Sequence, residues 1–183
     1  MDLVEPARAY LAGYRDALQR HWSPMTTNPD LWRDELARVD ADPDLVLAQF
    51  AAVDPAGRTV TLPDGSVVPR LPGIVRWMWD GEFCGAINLR WQPGTAELPP
   101  HVLGHIGYTV VPWKQRRGYA TAALAGMLDV ARAQRLPFVE LTTQPENLAS
   151  QKVITANGGL FVEEFVEPEQ YGGAIGRLYR IDL

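Results

Sequence analysis

The stretch VVPWKQRRGYA, residues 110–120, decides how the rest of the 183-residue chain is read. Val110 and Val111 close a run of strand formers that begins at His105, and Pro112 ends it. Beyond Gly118 the period changes. Leu124, Met127, Leu128 and Ala131 recur at helical spacing, which predicts a helix over residues 118–133. A strand, a short turn and a helix start leave main-chain N–H groups that can cradle an anion, with the helix dipole behind them. Gly118 removes a side chain where a phosphate would approach closely, and Lys114, Arg116 and Arg117 add positive charge. The same residues also suit an ordinary basic helix start with solvated side chains. A dinucleotide fingerprint wants Gly-x-Gly-x-x-Gly and a Walker loop wants Gly-Lys-Ser or Gly-Lys-Thr, and this turn has neither.

Downstream, Phe138 to Thr142 reads as a short strand in the covered middle of a sheet. Asn147 can cap a helix that runs to about Ala156 and stops at Asn157-Gly158-Gly159. Leu160 to Val166 and Ile175 to Ile181 are two further strands, with Gln170 to Ala174 between them. Upstream, Ile74 to Trp79 and Phe83 to Leu89 flank the hairpin signal Asp80-Gly81. Apolar residues at helical spacing predict helices over residues 6–20 and 29–40. From 41 to 73 prolines and glycines loosen the order, and only Leu45 to Phe50 resists a loop reading. TVTLPDGSVVPRLPG, residues 59–73, suggests a hairpin or flap that either shapes an acceptor site or decorates the surface. The order of elements predicts a single α/β domain over residues 1–183, a mixed central sheet with helices on both faces.

The formal charge is -5, and no long basic stripe exists to neutralise a row of phosphates, which argues against a nucleic-acid binder. The single cysteine, Cys84, excludes an internal disulfide and a cysteine-rich metal site. MDLVEPARAY lacks the apolar core of a secretory signal, and every apolar run is broken before it could span a membrane. These features predict a soluble cytoplasmic protein with no metal and no membrane partner.

Gln115-Arg116-Arg117-Gly118-Tyr119-Ala120 matches the Gln/Arg-x-x-Gly-x-Gly/Ala signature of the GCN5-related N-acetyltransferase (GNAT) superfamily. Asn147, Ser150 and the helix end at Asn157-Gly158 add to the likeness, and GHIGYTVVPWKQRRGYATAAL with ENLASQKVITANGG resembles a bacterial branch of predicted acetyltransferases. The resemblance covers residues 74–183, with residues 1–73 matching the helices and flap that vary among members. It implies an acyl-CoA site and acetyl-CoA as cosubstrate. Gln115, Arg116, Arg117, Gly118, Tyr119, Ala120 and Thr121 would hold the pyrophosphate, largely through main-chain N–H groups. A bulge would splay the preceding strand from the one at Phe138, and the pantetheine arm would bond around Val110 and Val111. Asn147 and Ser150 would reach the coenzyme in the same cleft.

Moving acetyl from a thioester to an amine requires a base, an oxyanion donor and, for the thiolate, a proton. His105 stands seven positions before Pro112, where some members of the superfamily carry a catalytic glutamate. It is a candidate base, or else a buried histidine bonded within its strand. Glu140 on the neighbouring strand is a candidate to orient or replace it. The oxyanion would meet a main-chain N–H around Val111. The tyrosine that many members use as the acid falls at Ile154 here, leaving Tyr108, Tyr171 and Tyr179 as substitutes. Cys84 reads as structural. Glu163, Glu164, Glu167 and Glu169 suggest either an acidic rim for a cationic acceptor or a solvated charge run. Trp77, Trp79 and Trp91 either line a pocket or pack. The leading expectation is direct acetyl transfer to a primary amine of a small molecule or peptide, in a chain that could pair as a homodimer. The alternative is a non-catalytic acyl-CoA-binding or sensor module.

Overall fold

The computed structural model describes residues 1–26, 28–51, 53, 57–62, 65–169 and 172–183. After a short strand β1 (Asp2–Val4), three helices follow: α1 (Arg8–Gln19), α2 (Leu31–Ala41) and α3 (Pro43–Ala51). Strands β2 (Thr59–Thr61) and β3 (Val67–Pro69) form a separate antiparallel hairpin, which is the expected flap; Pro63 and Asp64, between them in sequence, lie outside the described residues. Strands β4 (Gly73–Trp79), β5 (Phe83–Arg90) and β6 (Ile106–Val110) precede helix α4 (Tyr119–Ala133), and a 3-10 turn at Pro112–Lys114 joins β6 to α4. Strand β7 (Phe138–Thr143), helix α5 (Leu148–Ala156), β8 (Leu160–Val166) and β9 (Ile175–Asp182) complete the chain.

Two of these elements exceed the sequence expectation. Helix α3 extends from Leu45–Phe50 to Pro43–Ala51, because Pro43 suits a first helical position and Asp42 Oδ1 accepts the Leu45 N–H at 2.9 Å. Strand β1 carries no period of its own; it exists by pairing with β4, Asp2 opposite Trp79 and Val4 opposite Trp77.

The strands order as β1-β4-β5-β6 in one antiparallel sheet and β7-β9-β8 in another. Helices α1, α2 and α3 cover one face of the first sheet, burying Tyr14, Leu18, Val39 and Val46 against Trp77 and Phe83. Tyr14 stacks on Trp77 with centroids 4.6 Å apart, and Trp79 packs in the same cluster, so the paired tryptophans of β4 are packing groups. The other face buries Met78, Ile87 and Leu89 beneath Leu124, Met127 and Leu128 of α4 and joins Leu141, Ile154 and Ile181. Each such fully buried side chain contributes about 1.5–3 kcal/mol. Among the described residues no helix is long and apolar enough to cross a membrane.

Strand β7 corrects one expectation. It is the edge of its sheet rather than the middle, and its burial alternates: Val139, Leu141 and Thr143 point inward. No ladder joins it to β6. They touch where His105, just before β6, meets Glu140 of β7: the His105 N–H donates to Glu140 O at 2.6 Å and the Glu140 N–H donates to His105 Nδ1 at 3.0 Å. Beyond that clasp they part. The splay arises without the expected bulge, since β6 stays in unbroken register with β5 from Ile106 opposite Leu89 to Val110 opposite Gly85.

Candidate functional site

The parting of β6 and β7 opens a cleft of about 710 Å³, walled by Tyr108, Thr142, Asn147, Ser150 and Glu167 among others. Alternation along β6 determines what its backbone offers there. Val111 N–H donates to Cys84 O at 3.0 Å and Arg90 N–H donates to His105 O at 2.9 Å, so odd-numbered residues of this strand face β5. By the antiparallel pattern, Ile106, Tyr108 and Val110 turn their N–H and C=O groups toward the cleft. Val110 therefore suits the pantetheine role expected of it. Val111 does not: its N–H is taken by Cys84 O and its side chain is buried, so neither arm bonding nor oxyanion donation is open to that group.

Past the end of β6 the loop before α4 has the form of an anion nest. Arg116 (φ 59°) and Gly118 (φ 78°) both lie in the left-handed region, which turns successive N–H groups to one side. Gly118 is the N-cap position of α4, no side chain caps the helix among the described residues, and its first turn has no acidic residue. Tyr119, Ala120 and Thr121 are thus first-turn residues whose N–H groups lack intrahelical acceptors. Thr121 O accepts Asn157 Nδ2 at 3.2 Å, tying the end of α5 to this turn, and Gln115 Nε2 donates to Val110 O at 3.3 Å. Arg116 and Arg117 are exposed beside the loop.

Lys114 is different. Its ammonium turns away from the nest and pairs with Asp80 at 3.0 Å and Glu82 at 2.8 Å, on the turn between β4 and β5. Tyr119 donates to the same Asp80 carboxylate at 2.5 Å. The Tyr119 hydroxyl, followed by Lys114, holds the Asp80 carboxyl well below the usual range, and Glu82 and Asp80 hold the Lys114 ammonium above its own. Cys84 beside them has its thiol pushed up to about 11 by burial, then by Asp80, which leaves it a structural thiol.

His105 is wholly buried. Nδ1 accepts from the Glu140 N–H, so Nε2 carries the proton and donates to Ala96 O at 3.1 Å. Burial lowers its pKa below the ordinary value. Both nitrogens are committed to backbone, so the imidazole stays neutral and has no lone pair left for a substrate proton. The base role expected of it does not fit this geometry; the bonded-histidine alternative does. The Glu140 carboxylate meets Arg180 of β9 at 2.7 Å and so does not orient the His105 ring, which Glu140 bonds through its backbone N–H alone.

Tyr108 does reach the cleft. Its hydroxyl lies 3.4 Å from Ser150 O, and burial raises its pKa, so it remains protonated. Asn147 caps α5 by accepting the Ser150 N–H at 3.1 Å, which sets both residues on the cleft wall. Tyr179 packs in the core against Phe161, and Tyr171 lies outside the described residues. Glu163 and Glu164 are exposed on β8, where Glu164 pairs with Arg177 at 3.0 Å.

Glu167, grouped with those residues in the sequence, is turned inward instead. It is 3% exposed, receives Gln144 Nε2 at 3.1 Å and lines the same cleft as Tyr108. Burial raises its pKa, with the Gln144 bond partly opposing. Nothing in the residues beside it in the sequence separates it from the exposed acidic run.

The chain matches the family model described as the acetyltransferase (GNAT) domain over residues 8–159. No curated protein matches it by sequence. Among solved structures it is similar to Mycobacterium smegmatis RimJ in complex with CoA-disulfide, at 23% identity and a TM-score of 0.67, covering 98% of this chain and 80% of that one. It is also similar to the microcin C7 self-immunity acetyltransferase MccE in complex with acetyl-CoA and AMP, at 10% identity and a TM-score of 0.64, over 99% and 91%. A third, the ribosomal L7/L12 alpha-N-protein acetyltransferase RimL in complex with coenzyme A, shares 12% identity at a TM-score of 0.64, over 99% and 93%. At these identities the structures speak for the fold.

Proposed function

This chain belongs to the GNAT acetyltransferase family, and from that premise we propose that it moves an acetyl group from acetyl-CoA to a primary amine of a small molecule or peptide, by direct attack in a ternary complex. The observation that carries the reading is the parting of β6 and β7 into a cleft lined by Tyr108, with β6 leading on through the turn Pro112–Lys114 to the uncapped start of α4. That shape suits an extended arm ending in a pyrophosphate. Gln115 to Thr121 would hold the phosphates, Val110 the arm, and Asn147 and Ser150 its flank. Acetyl-CoA supplies the activated acyl group, and the proton transfers fall to side chains of the cleft.

Glu167 is the base in this reading. A buried carboxylate whose pKa is raised is a stronger base than a free one, and so better suited to take a proton from an ammonium. Tyr108, kept protonated by burial, donates to the departing thiolate. A main-chain N–H of Tyr108 or Val110 meets the oxyanion.

Release of free thiol from acetyl-CoA across pooled amines tests the reading. Glu167→Gln should lower kcat/KM by about 100-fold. The wild-type rate should fall as pH drops through the raised Glu167 pKa, above the ordinary glutamate value of about 4.3, and the variant should lack that limb. Retention of the limb in Glu167→Gln would remove Glu167 from the mechanism. Tight acetyl-CoA binding with no acceptor-dependent thiol release would favour a binding module instead.

A further inference from the structure

A second cavity, of about 450 Å³, adjoins the cleft and shares Met25, Leu31, Val60 and Leu62 with it. It lies between the helices α1–α3, the β2–β3 hairpin and the strands β4 and β5. Its walls are largely apolar, and the charged side chains on them are unbalanced: Arg38, Arg70 and Arg90 against the single carboxylate of Glu35. Two of these arginines are engaged. Arg38 pairs with Glu35 at 2.6 Å and also donates to Gln49, while Arg90 donates to Gly104 O at 2.9 Å and Leu103 O at 3.2 Å. Glu35 is further bound by the Tyr14 hydroxyl at 2.9 Å, so its charge is spent within the wall.

Arg70 differs. It follows β3 directly, and its N–H donates to Arg58 O at 2.9 Å, which fixes its backbone to the hairpin. Among the described residues its guanidinium has no carboxylate partner, and the charges that act on it are those of Arg58 and Arg38. Burial, then these two cations, lower its pKa. Arg70 is nonetheless exposed to solvent on the lining of an apolar pocket, so its guanidinium is open to an incoming anion, and guanidinium presents the planar fork that carboxylate and phosphate oxygens match.

We infer that the acceptor is an amine that also carries an oxyanion, a carboxylate or a phosphate, and that Arg70 receives this group in the second cavity while the amine reaches the cleft. The inference rests on the acetyl-transfer reading and narrows its substrate. It also reverses the cationic acceptor suggested by the acidic run of β8 and the residues after it, in which Glu164 is neutralised by Arg177 and Glu167 faces the cleft.

The test uses paired amines that differ only in the anion: amino acids against their amides, and aminoalkyl phosphates against the matching amino alcohols. Thiol release is measured for the wild type and Arg70→Gln, with acetyl-CoA affinity of both read by calorimetry. The anionic member of at least one pair should be favoured about tenfold in kcat/KM, through KM, and Arg70→Gln should erase that preference with kcat and acetyl-CoA affinity kept. Which pair shows it tells carboxylate from phosphate. Equal or better turnover of neutral amines or polyamines would overturn the inference and leave the transferase standing. So would a preference that survives Arg70→Gln, or no turnover of any anionic amine by an enzyme that binds acetyl-CoA. Failure to bind acetyl-CoA would sink the transferase reading, and this inference with it.

Discussion

A buried histidine with both nitrogens bonded has a consequence for stability that a catalytic one would not. His105 is neutral in the folded chain because burial lowers its pKa, whereas an unfolded chain returns it to about 6.5. Below that value the unfolded state binds the extra proton and the folded state does not. Stability is therefore full above pH of about 6.5 and falls as pH drops through it toward the depressed folded value. In His105→Asn the side-chain carbonyl can replace Nδ1 as acceptor for the Glu140 N–H, while Ala96 O loses its donor. That variant should be less stable by about 1–3 kcal/mol at pH 8, and its denaturant midpoint should lack the His105 share of the loss between pH 7 and 5. An unchanged pH slope would show that His105 titrates alike folded and unfolded. The sequence left this residue open between base and structural histidine because its two partners, Ala96 O and the Glu140 N–H, are nine and 35 positions away. Glu167 was hidden for the same reason: nothing beside it in the chain signals that Tyr108 and Ser150 share its cleft.

Elements defined by local period were legible to within a residue or two. Helix α4 was expected at 118–133 and runs Tyr119–Ala133, and β8 was expected and found at Leu160–Val166. What the period could not reveal is how the loop before α4 is held. Lys114 reads as a phosphate ligand in sequence, yet it braces the loop against the β4–β5 turn through Asp80, with Tyr119 from the first turn of α4 on the same carboxylate. Asp80→Ala should loosen the nest and weaken acetyl-CoA binding by about tenfold, with a smaller effect on the acceptor KM, as titration calorimetry and initial rates would show. Equal loss for both ligands would mean that the brace supports the whole fold rather than the loop. Gly118 gives a second test of the same element. A Cβ there would meet no protein atom within 4 Å, so in the free protein a substitution incurs only the cost of the left-handed φ of 78°. Gly118→Asn should bind acetyl-CoA more tightly than Gly118→Val, since Asn tolerates that region and a β-branched residue does not. Equal affinities would mean that the loop relaxes away from the left-handed form at little cost.

The two sheets meet where β6 and β7 touch, so the width of the cleft is a property of the whole molecule. On one side of the contact stands the four-stranded sheet, on the other the three-stranded sheet, and α4 with α5 packs across both. Gly104 sits at the hinge with φ 77°, and a Cβ on it would meet Glu140 O at 2.9 Å and Leu141 Cα at 3.2 Å. The neighbours are backbone on the facing strand, so Gly104→Ala must push the strands apart exactly at the clasp that sets their divergence. Gly94 is the control: it has φ 81° but nothing within 4 Å of a Cβ, so Gly94→Ala incurs the conformational cost alone, about 1–2 kcal/mol. Gly104→Ala should lose more stability than that, and its acetyl-CoA affinity should fall while that of Gly94→Ala holds. If both variants bound acetyl-CoA as the wild type does, the His105–Glu140 contact would fasten the sheets without setting the cleft. If only Gly104→Ala weakened, the spacing of the sheets would be what fits the cleft to its ligand, with His105 acting on binding through geometry rather than through a proton.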